Sequence, residues 1–264
     1  MKQYVVDAFT TEVFKGNQAA VCFPKAWPSD DFMTKVAMEN KFSETAFIIK
    51  EDGKYHIRWF TLSGEIDFCG HATLASAHTI KEFVEPDTDC IEFTSMHGPI
   101  TVLVKDGLYE MHFPPYELRQ VEVTDAMEAA CGRRPVEAWM DRDLLCLFDD
   151  EEFVRTMEPD QEKLLELDGL LFHATARGSG EYDCVSRTFA PKCNVAEDPV
   201  CGSGHCHIVP YWSDKLGKKD IVAFQASARS GILYGKITDT DMTLSGYAAT
   251  FSRGEIKDEN GNWE

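Results

Sequence analysis

Apolar positions in the first half of the chain fall into short alternating runs. Positions 5–9, 46–49, 55–60, 90–94 and 100–104 combine alternation with β-branched and aromatic residues, which predicts strands. The stretch 30–40 instead shows helical spacing, with Ser29 and Asp30 as candidate N-caps. Segment 71–83 differs from both. Ala72, Leu74, Ala75, Ala77 and Ile80 make it apolar round most of a helix's circumference, so a buried helix is expected. The second half repeats the theme, with a helix at 204–216 and strands at 232–237, 242–245 and 250–256. Pro210 is expected to kink that helix or to mark its first part as a short turn. Strand patterning stops after Pro114-Pro115, and a helix-like 124–131 follows. This places domains at 1–117 and 118–264, with the last strand able to pack back on the first. Gly178-Ser179-Gly180-Glu181 reads as a surface turn and Asp149-Asp150-Glu151-Glu152 as a solvated helix start.

The two halves share more than a theme. Arg58-Trp59-Phe60-Thr61 runs into Asp67-Phe68-Cys69-Gly70-His71-Ala72; Arg187-Thr188-Phe189-Ala190 runs into Asp198-Pro199-Val200-Cys201-Gly202-Ser203-Gly204. Each has Arg-x-Phe, a short polar stretch, an Asp, and Cys-Gly entering the buried helix. The two cysteines stand 132 positions apart in 264 residues, half the chain. The expected fold class is therefore α+β: two pseudo-symmetric domains, each a mixed sheet wrapped around one central helix.

Composition narrows the function classes. With 44% apolar and 11% aromatic residues the chain can bury a sizeable core, which excludes disorder. Its 26 basic against 45 acidic residues give a net charge of −19, spread over both halves. Phosphate backbones and anionic membranes need clustered Lys and Arg, so neither is an expected partner. No apolar run approaches the ~18 residues of a membrane span, and the first residues alternate like folded protein, unlike a secretory signal. Nine cysteines, an odd number with no CxxC pair, suggest neither a disulfide framework nor a zinc ribbon. A reducing cytoplasm is the expected compartment. Cys201, His205, Cys206 and His207 invite a metal reading, but no second ligand pair stands at the usual spacing, and no metal is expected. Gly202-Ser203-Gly204 is not a nucleophile elbow, and no Walker or dinucleotide fingerprint is present.

The first amides of a helix lack intrahelical partners and carry the positive end of its dipole. A Cys-Gly at such a mouth suits a carboxylate or oxyanion and is expected to lower a thiol pKa. Two matched mouths point to a small anionic substrate. The other reading is that Cys69 and Cys201 are simply small buried residues.

Several segments together resemble the PhzF-like phenazine-biosynthesis family. They are Val6-Asp7-Ala8-Phe9-Thr10 followed by Phe14-Lys15-Gly16-Asn17-Gln18-Ala19-Ala20-Val21, then Phe42-Ser43-Glu44-Thr45-Ala46-Phe47, Cys69-Gly70-His71-Ala72-Thr73, Glu197-Asp198-Pro199-Val200-Cys201-Gly202-Ser203-Gly204-His205, and Pro210-Tyr211-Trp212 through Lys215-Leu216-Gly217-Lys218. The resemblance implies a diaminopimelate-epimerase-like fold, an active site in the cleft between the two domains, a homodimer and a cofactor-free isomerase of a small carboxylate-bearing metabolite. It also implies that Glu44 moves the proton as general base and acid, its pKa raised by burial. His71 and Asp198 would hold the substrate and assist; Gly70, Gly202 and Ser203 would meet its carboxylate, and Asn17 would contact it. By itself, Glu44 reads as a solvated strand-end carboxylate, His71 as a helix-entry histidine and Asp198 as a turn residue. The chain departs from the family in carrying cysteine at 69 and 201. That arrangement resembles two-cysteine racemases and epimerases, in which opposed thiols exchange a proton. Two alternatives stay open: an epimerase using Cys69 and Cys201, and a binding protein without turnover.

Overall fold

The computed structural model describes residues 1–96 and 98–263. The first part of the chain runs β1 (Lys2–Ala8), β2 (Asn17–Phe23), α1 (Asp30–Asn40), β3 (Glu44–Glu51), β4 (Lys54–Thr61), β5 (Gly64–Ile66), α2 (Gly70–Phe83), β6 (Cys90–Ser95), β7 (Gly98–Lys105) and β8 (Leu108–Phe113). There follow β9 (Arg119–Val121), α3 (Asp125–Cys131), β10 (Glu137–Met140), β11 (Leu144–Phe148), α4 (Glu151–Thr156), α5 (Gln161–Glu166), β12 (Phe172–Arg177) and β13 (Cys184–Ala190). The chain ends with β14 (Val195–Asp198), α6 (Gly202–Leu216), β15 (Asp220–Gln225), β16 (Gly231–Ile237), β17 (Met242–Gly246) and β18 (Ala248–Glu255). No helix among the described residues is long and apolar enough to cross a membrane.

The chain forms two units, residues 1–111 with the segment from Ser245 onward, and residues 112–244. The division falls at 111/112 and not at 117/118. The terminal strand belongs to the first unit, where β18 lies antiparallel to β1 from Lys2↔Glu255 to Ala8↔Ala248. β1 is thus paired on both sides, with β2 on the other, as its buried Tyr4, Val5, Val6 and Ala8 require.

Strand senses make the internal repeat explicit. In the first unit β1/β2 is antiparallel, β2/β3 parallel, β3/β4 antiparallel, β4/β6 parallel and β6/β7 antiparallel. In the second unit β10/β11, β11/β12, β12/β13, β13/β15 and β15/β16 run through the same five senses in the same order. Each fourth strand carries a short antiparallel partner, β5 or β14, and the central helix follows it. A parallel link needs a crossover, and α2 and α6 are the crossovers of the second parallel pair in each unit.

α2 is buried continuously from His71 to Ile80 and packs on β1, β2, β3 and β18. Its polar residues are satisfied locally. Thr73, Ser76 and Thr79 donate to the carbonyls of Cys69, Ala72 and Ala75, one turn back (2.7, 2.6 and 2.9 Å). His78 lies between the Tyr109 hydroxyl (3.0 Å) and Thr250 Oγ1 (2.8 Å), and burial pushes its pKa down to about 4. In α6, His205 Nδ1 donates to the Cys201 carbonyl (2.7 Å). Burial holds this ring at about 4 as well.

Of the two expectations for Pro210, the separate short turn does not form. α6 continues through it from Gly202 to Leu216. Proline lacks the N–H that would bond the carbonyl four residues back; the Cys206 carbonyl accepts from the Tyr116 amide instead (3.4 Å). An outside donor replaces the missing one, and the helix needs no break. α6 packs on β15 and β16, where Gly235 gives it room: a Cβ there would stand 2.5 and 2.6 Å from the two methyls of Val209.

Strands of the second half that alternation does not reveal are buried on both faces. On β11, Leu144, Cys146 and Phe148 enter one core cluster with Val154 and Phe189, while Leu145 and Leu147 enter another with Ile208 and Trp212. Of the two candidate caps of α1, Ser29 forms the cap, accepting from Phe32 N; Thr124 and Asp150 cap α3 and α4, accepting from Met127 N and Phe153 N.

Two consequences are measurable. Val209 is stiff at χ1 inside a helix and cannot swing aside, so Gly235→Ala is expected to cost about 1–3 kcal/mol by overpacking. Urea unfolding of the variant reads this directly, and an unchanged midpoint would contradict the close approach. The second concerns pH. His78 and His205 titrate near 4 when folded and near 6.5 when unfolded, so unfolding takes up protons in that window. Stability therefore falls as pH drops from about 6.5 towards 4, with a slope approaching ~2.7 kcal/mol per pH unit for two rings. His205→Gln should halve that contribution between pH 5 and 6.5; an unaltered slope in urea titrations would refute the assignment.

Candidate active site

The mouth of α2 assembles three side chains from two places in the sequence. Glu44 is the first residue of β3, registered against Ala19 of the parallel strand β2. Cys69 is the N-cap of α2, with extended backbone (φ −143°, ψ 111°), and His71 lies in the first turn. Shortly before the cap, Arg58 of β4 forks its Nε and Nη2 onto Glu65 of β5 (2.7 and 2.5 Å). His71 Nδ1 lies 3.4 Å from Cys69 Sγ and Nε2 lies 3.2 Å from Glu44 Oε2. The His71 and Glu44 side chains are 9% and 17% exposed. Glu44 Oε2 is itself buried and accepts no aligned hydrogen bond among the described residues. At 3.2 Å the two groups attract as charges.

Burial alone would lower the His71 pKa. The charges of Cys69 and Glu44 and the bonds to them overcome that and hold the ring well above 6.5. The Cys69 thiol is pushed up from 9.0, first by burial and then by the Glu44 charge, with His71 opposing. The His71 ring is therefore held protonated beside Glu44, while burial disfavours the Cys69 thiolate. A proton acceptor and a proton donor stand within 3.2 Å of each other.

The helix amides complete this mouth. The first intrahelical bond runs from Thr73 N to the Cys69 carbonyl, so the amides of Gly70, His71 and Ala72 precede it and carry the positive end of the dipole. Asn17 is buried at the start of β2.

The mouth of α6 repeats the backbone with different chemistry. Arg187 Nε and Nη2 fork onto Glu197 (2.6 and 2.8 Å), the counterpart of Arg58 on Glu65. Each glutamate stands four residues before its cysteine, a second matched feature beside the Arg-x-Phe repeat. Asp198 Oδ1 accepts from Val200 N (3.0 Å), which closes the turn into the helix. Cys201 is the N-cap, and its Sγ accepts from Gly204 N (3.3 Å). Gly202 and Ser203 open the helix, and Ser203 Oγ accepts from Arg142 Nη2 (3.1 Å). Burial, and then the Asp198 charge, put the Cys201 thiol well above 9.0. The expected lowering of both thiols by their helix mouths is thus reversed: burial outweighs the helix end.

Behind Ser203 lies a polar cluster that sequence spacing did not reveal. The Arg142 guanidinium grips the Asp143 carboxylate (3.0 and 2.5 Å). His173 Nε2 donates to the same carboxylate (3.1 Å), and its Nδ1 meets Thr188 Oγ1 (2.9 Å). Burial would raise the Asp143 pKa, but His173 and Arg142 hold it far below the usual range. His207 lies with Nδ1 3.7 Å from Asp143 Oδ2, under the stacked ring of Tyr116 (centroids 4.0 Å apart). These residues come from a turn, β12, α6 and the segment after β8, so no local motif joins them. His207 did stand out in Cys201-x-x-x-His205-Cys206-His207, but that set does not form a metal site. His205 Nδ1 bonds the Cys201 carbonyl and Cys206 Sγ the Gly202 carbonyl. Gly204 is fixed by the cluster: a Cβ there would stand 2.6 Å from His173 Cε1. Two other trios bring metal-ligating atoms within 4.8 Å of one another, Glu44/Cys69/His71 and Asp143/His173/His207.

Comparison with known proteins agrees with this reading of the chain. Residues 6–254 match the PhzC-PhzF family, described as phenazine biosynthesis-like protein. An uncharacterized isomerase of Pseudomonas aeruginosa is 40% identical over 253 residues, covering 96% of this chain and 97% of that one. A crystal structure of a PhzF-family phenazine biosynthesis protein from Enterococcus faecalis is 41% identical, with a TM-score of 0.94 over 97% of this chain and 99% of that one. A probable proline racemase from Agrobacterium radiobacter, 10% identical with a TM-score of 0.64 over 97% of this chain and 92% of that one, shares the fold alone. The α+β, diaminopimelate-epimerase-like fold expected from the repeat and the motifs is therefore the fold of this chain. Segments 6–21, 42–47, 69–73 and 197–218 all lie inside the matched region, and the chain belongs to the phenazine biosynthesis-like PhzC-PhzF family and is an isomerase of that family.

Proposed function

We propose that the chain moves a proton between carbons of a small carboxylate-bearing substrate, with Glu44 as general base and then general acid. The observation that carries this is the buried Glu44 Oε2, free of any aligned hydrogen bond among the described residues and 3.2 Å from His71 Nε2. A carboxylate that accepts no aligned hydrogen bond at that oxygen keeps a lone pair for a C–H proton. The adjacent imidazolium stabilises negative charge as it develops and can return a proton. Gly70 at the α2 mouth offers its amide to the substrate carboxylate. Asp198, Gly202 and Ser203 at the α6 mouth, and Asn17 on β2, are proposed substrate-holding groups. No cofactor enters these steps.

The two-cysteine alternative requires a thiolate as base. Both thiols are held above 9.0 by burial, and a nearby carboxylate adds to the effect at each. This favours Glu44.

The test is solvent deuterium incorporation into a panel of small unsaturated and cyclic carboxylic acids, read by mass spectrometry. Wild type is expected to exchange at least one of them, and Glu44→Gln to lower the rate by about 10²–10⁴-fold, the usual worth of a positioned acid or base. The alkaline limb of the wild-type pH profile should lie above 6.5 and reflect His71, since activity is lost as pH rises through its raised pKa; His71→Gln should remove that limb. Exchange that survives Glu44→Gln but vanishes in Cys69→Ser or Cys201→Ser would move the chemistry to the thiols. Acids that bind without exchanging in the wild type would leave a binding protein.

A further inference from the structure

At the mouth of α6 the Ser203 hydroxyl is the exposed end of a bonded chain that starts in the core. Thr188 Oγ1 meets His173 Nδ1 (2.9 Å), and His173 Nε2 donates to Asp143 (3.1 Å). The Asp143 side chain is fully buried and also accepts from Leu171 N (3.2 Å). It takes hydrogens from Nε and Nη2 of Arg142 (3.0 and 2.5 Å), and the second Nη2 hydrogen reaches Ser203 Oγ (3.1 Å). We propose that Arg142 is a positioning residue that acts through Ser203: it fixes this hydroxyl as a hydrogen-bond donor, so that the α6 mouth selects a carboxylate over a neutral amide. This deepens the reading of Ser203 as a substrate-holding group and rests on it.

A serine hydroxyl has one hydrogen and two lone pairs. Arg142 Nη2 fills one lone pair. Cys201 Sγ lies 3.5 Å from Ser203 Oγ and itself accepts from Gly204 N. Burial keeps that thiol protonated, and with Ser203 Oγ as an acceptor in reach its S–H fills the second lone pair. The hydroxyl hydrogen is what remains, and Ser203 is exposed, so this hydrogen is open to an incoming group. Such a group must accept. A carboxylate accepts at both oxygens, whereas a primary amide brings N–H hydrogens for which Ser203 has no lone pair left. The amides of Gly202 and Ser203 precede the first intrahelical bond, from His205 N to the Cys201 carbonyl (3.2 Å), and add donors of the same sense.

An ion pair alone does not require this geometry. The fork on Asp143 fixes the guanidinium plane, and the remaining Nη2 hydrogen therefore points at Ser203 in a set direction. The ring of Tyr116, with its centroid 5.2 Å from the guanidinium carbon, packs on the same group. A lysine could pair with Asp143 as a point charge but could not hold both partners in fixed directions. Because Asp143 balances the Arg142 charge, the effect of Arg142 on a bound acid passes through the hydroxyl and not through its net charge.

Calorimetric titration of the full chain tests this, with each acid of the deuterium panel and the primary carboxamide of the same acid as probes. Wild type is expected to bind at least one acid about tenfold tighter than its amide, the scale of a hydrogen bond to a charged group. Ser203→Ala and Arg142→Met should each cut that acid's affinity about tenfold and leave the amide's within about twofold. The double variant should lose no more than Ser203→Ala alone, because one residue acts through the other. Arg142→Lys should behave like Arg142→Met, and it gives the same reading should Arg142→Met fail to fold by circular dichroism. Absence of a preference for acid over amide in wild type, or an unaltered acid affinity in Ser203→Ala or Arg142→Lys, overturns the proposal. So does a further loss of about tenfold when Arg142→Met is added to Ser203→Ala. If the preference behaves as expected and no acid exchanges a proton, the proton-transfer reading fails and this one stands.

Discussion

The rest of the structure depends on enclosing a helix that is buried on every side along most of its length. α2 buries ten consecutive residues, which no flat sheet can cover, so strands must curve round it. The strand senses follow: a crossover helix that is to be wrapped needs parallel neighbours on each side of its own connection and antiparallel hairpins to extend the wrap. Enclosure also dictates how polar atoms inside are treated. Three hydroxyls turn back onto their own helix, and the one histidine deep in α2 is bonded at both nitrogens and kept neutral. The helix mouth is the exception. Its first amides have no intrahelical partners, so unsatisfied polarity is structural there and chemistry can use it.

The two units share this constraint and differ in the side chains placed on it. The cap is a cysteine in both, entered through a strand whose arginine is forked onto a glutamate four residues before that cysteine. A bidentate Arg–Glu pair fixes direction as well as distance, and it ties the strand to the residue four positions before each cap. Beyond that point α2 meets Glu44 and His71, whereas α6 meets Ser203, Arg142 and the Asp143–His173 pair. The first mouth holds a carboxylate beside an imidazolium, which suits proton movement. The second holds its carboxylate fully bonded, which suits rigidity. Repetition supplied the backbone twice, and divergence of a few side chains gave each copy a separate task.

Legibility from sequence followed the same division between backbone and side chain. The helix 71–83 and the matched Cys-Gly entries were readable because an all-round apolar helix leaves a distinct pattern and glycine marks the mouth. Strands such as β11 were not, since Leu144–Phe148 feed two cores at once and show no alternation. The last strand follows the second half in chain order and is able to pack back on the first, and its pairing with β1 places it there. Glu44 stood at a strand start with apolar neighbours, a weak signal that the motif resemblance strengthened. Arg142, Asp143 and His173 had no signal, because their meeting is a matter of register between strands and a turn. Pro210 marks no separate turn, since the carbonyl it abandons accepts from the Tyr116 amide.

The thiols give the most general lesson about helix mouths. A helix N-terminus favours an anion, yet its influence is confined to the first turn and amounts to about 0.3–1 kcal/mol at exposed positions and up to ~2 in partly buried ones. Taking a thiolate wholly out of water works against it with several times that energy. Cys69 and Cys201 are both N-caps and both buried, and both end above 9.0. What decides the charge state at such a mouth is therefore burial first and the neighbouring carboxylate second, not the helix. A carboxylate beside Cys69 opposes the thiolate and recruits the proton onto His71. Placing Glu44 at that mouth thus disfavours one route for the proton and opens the other.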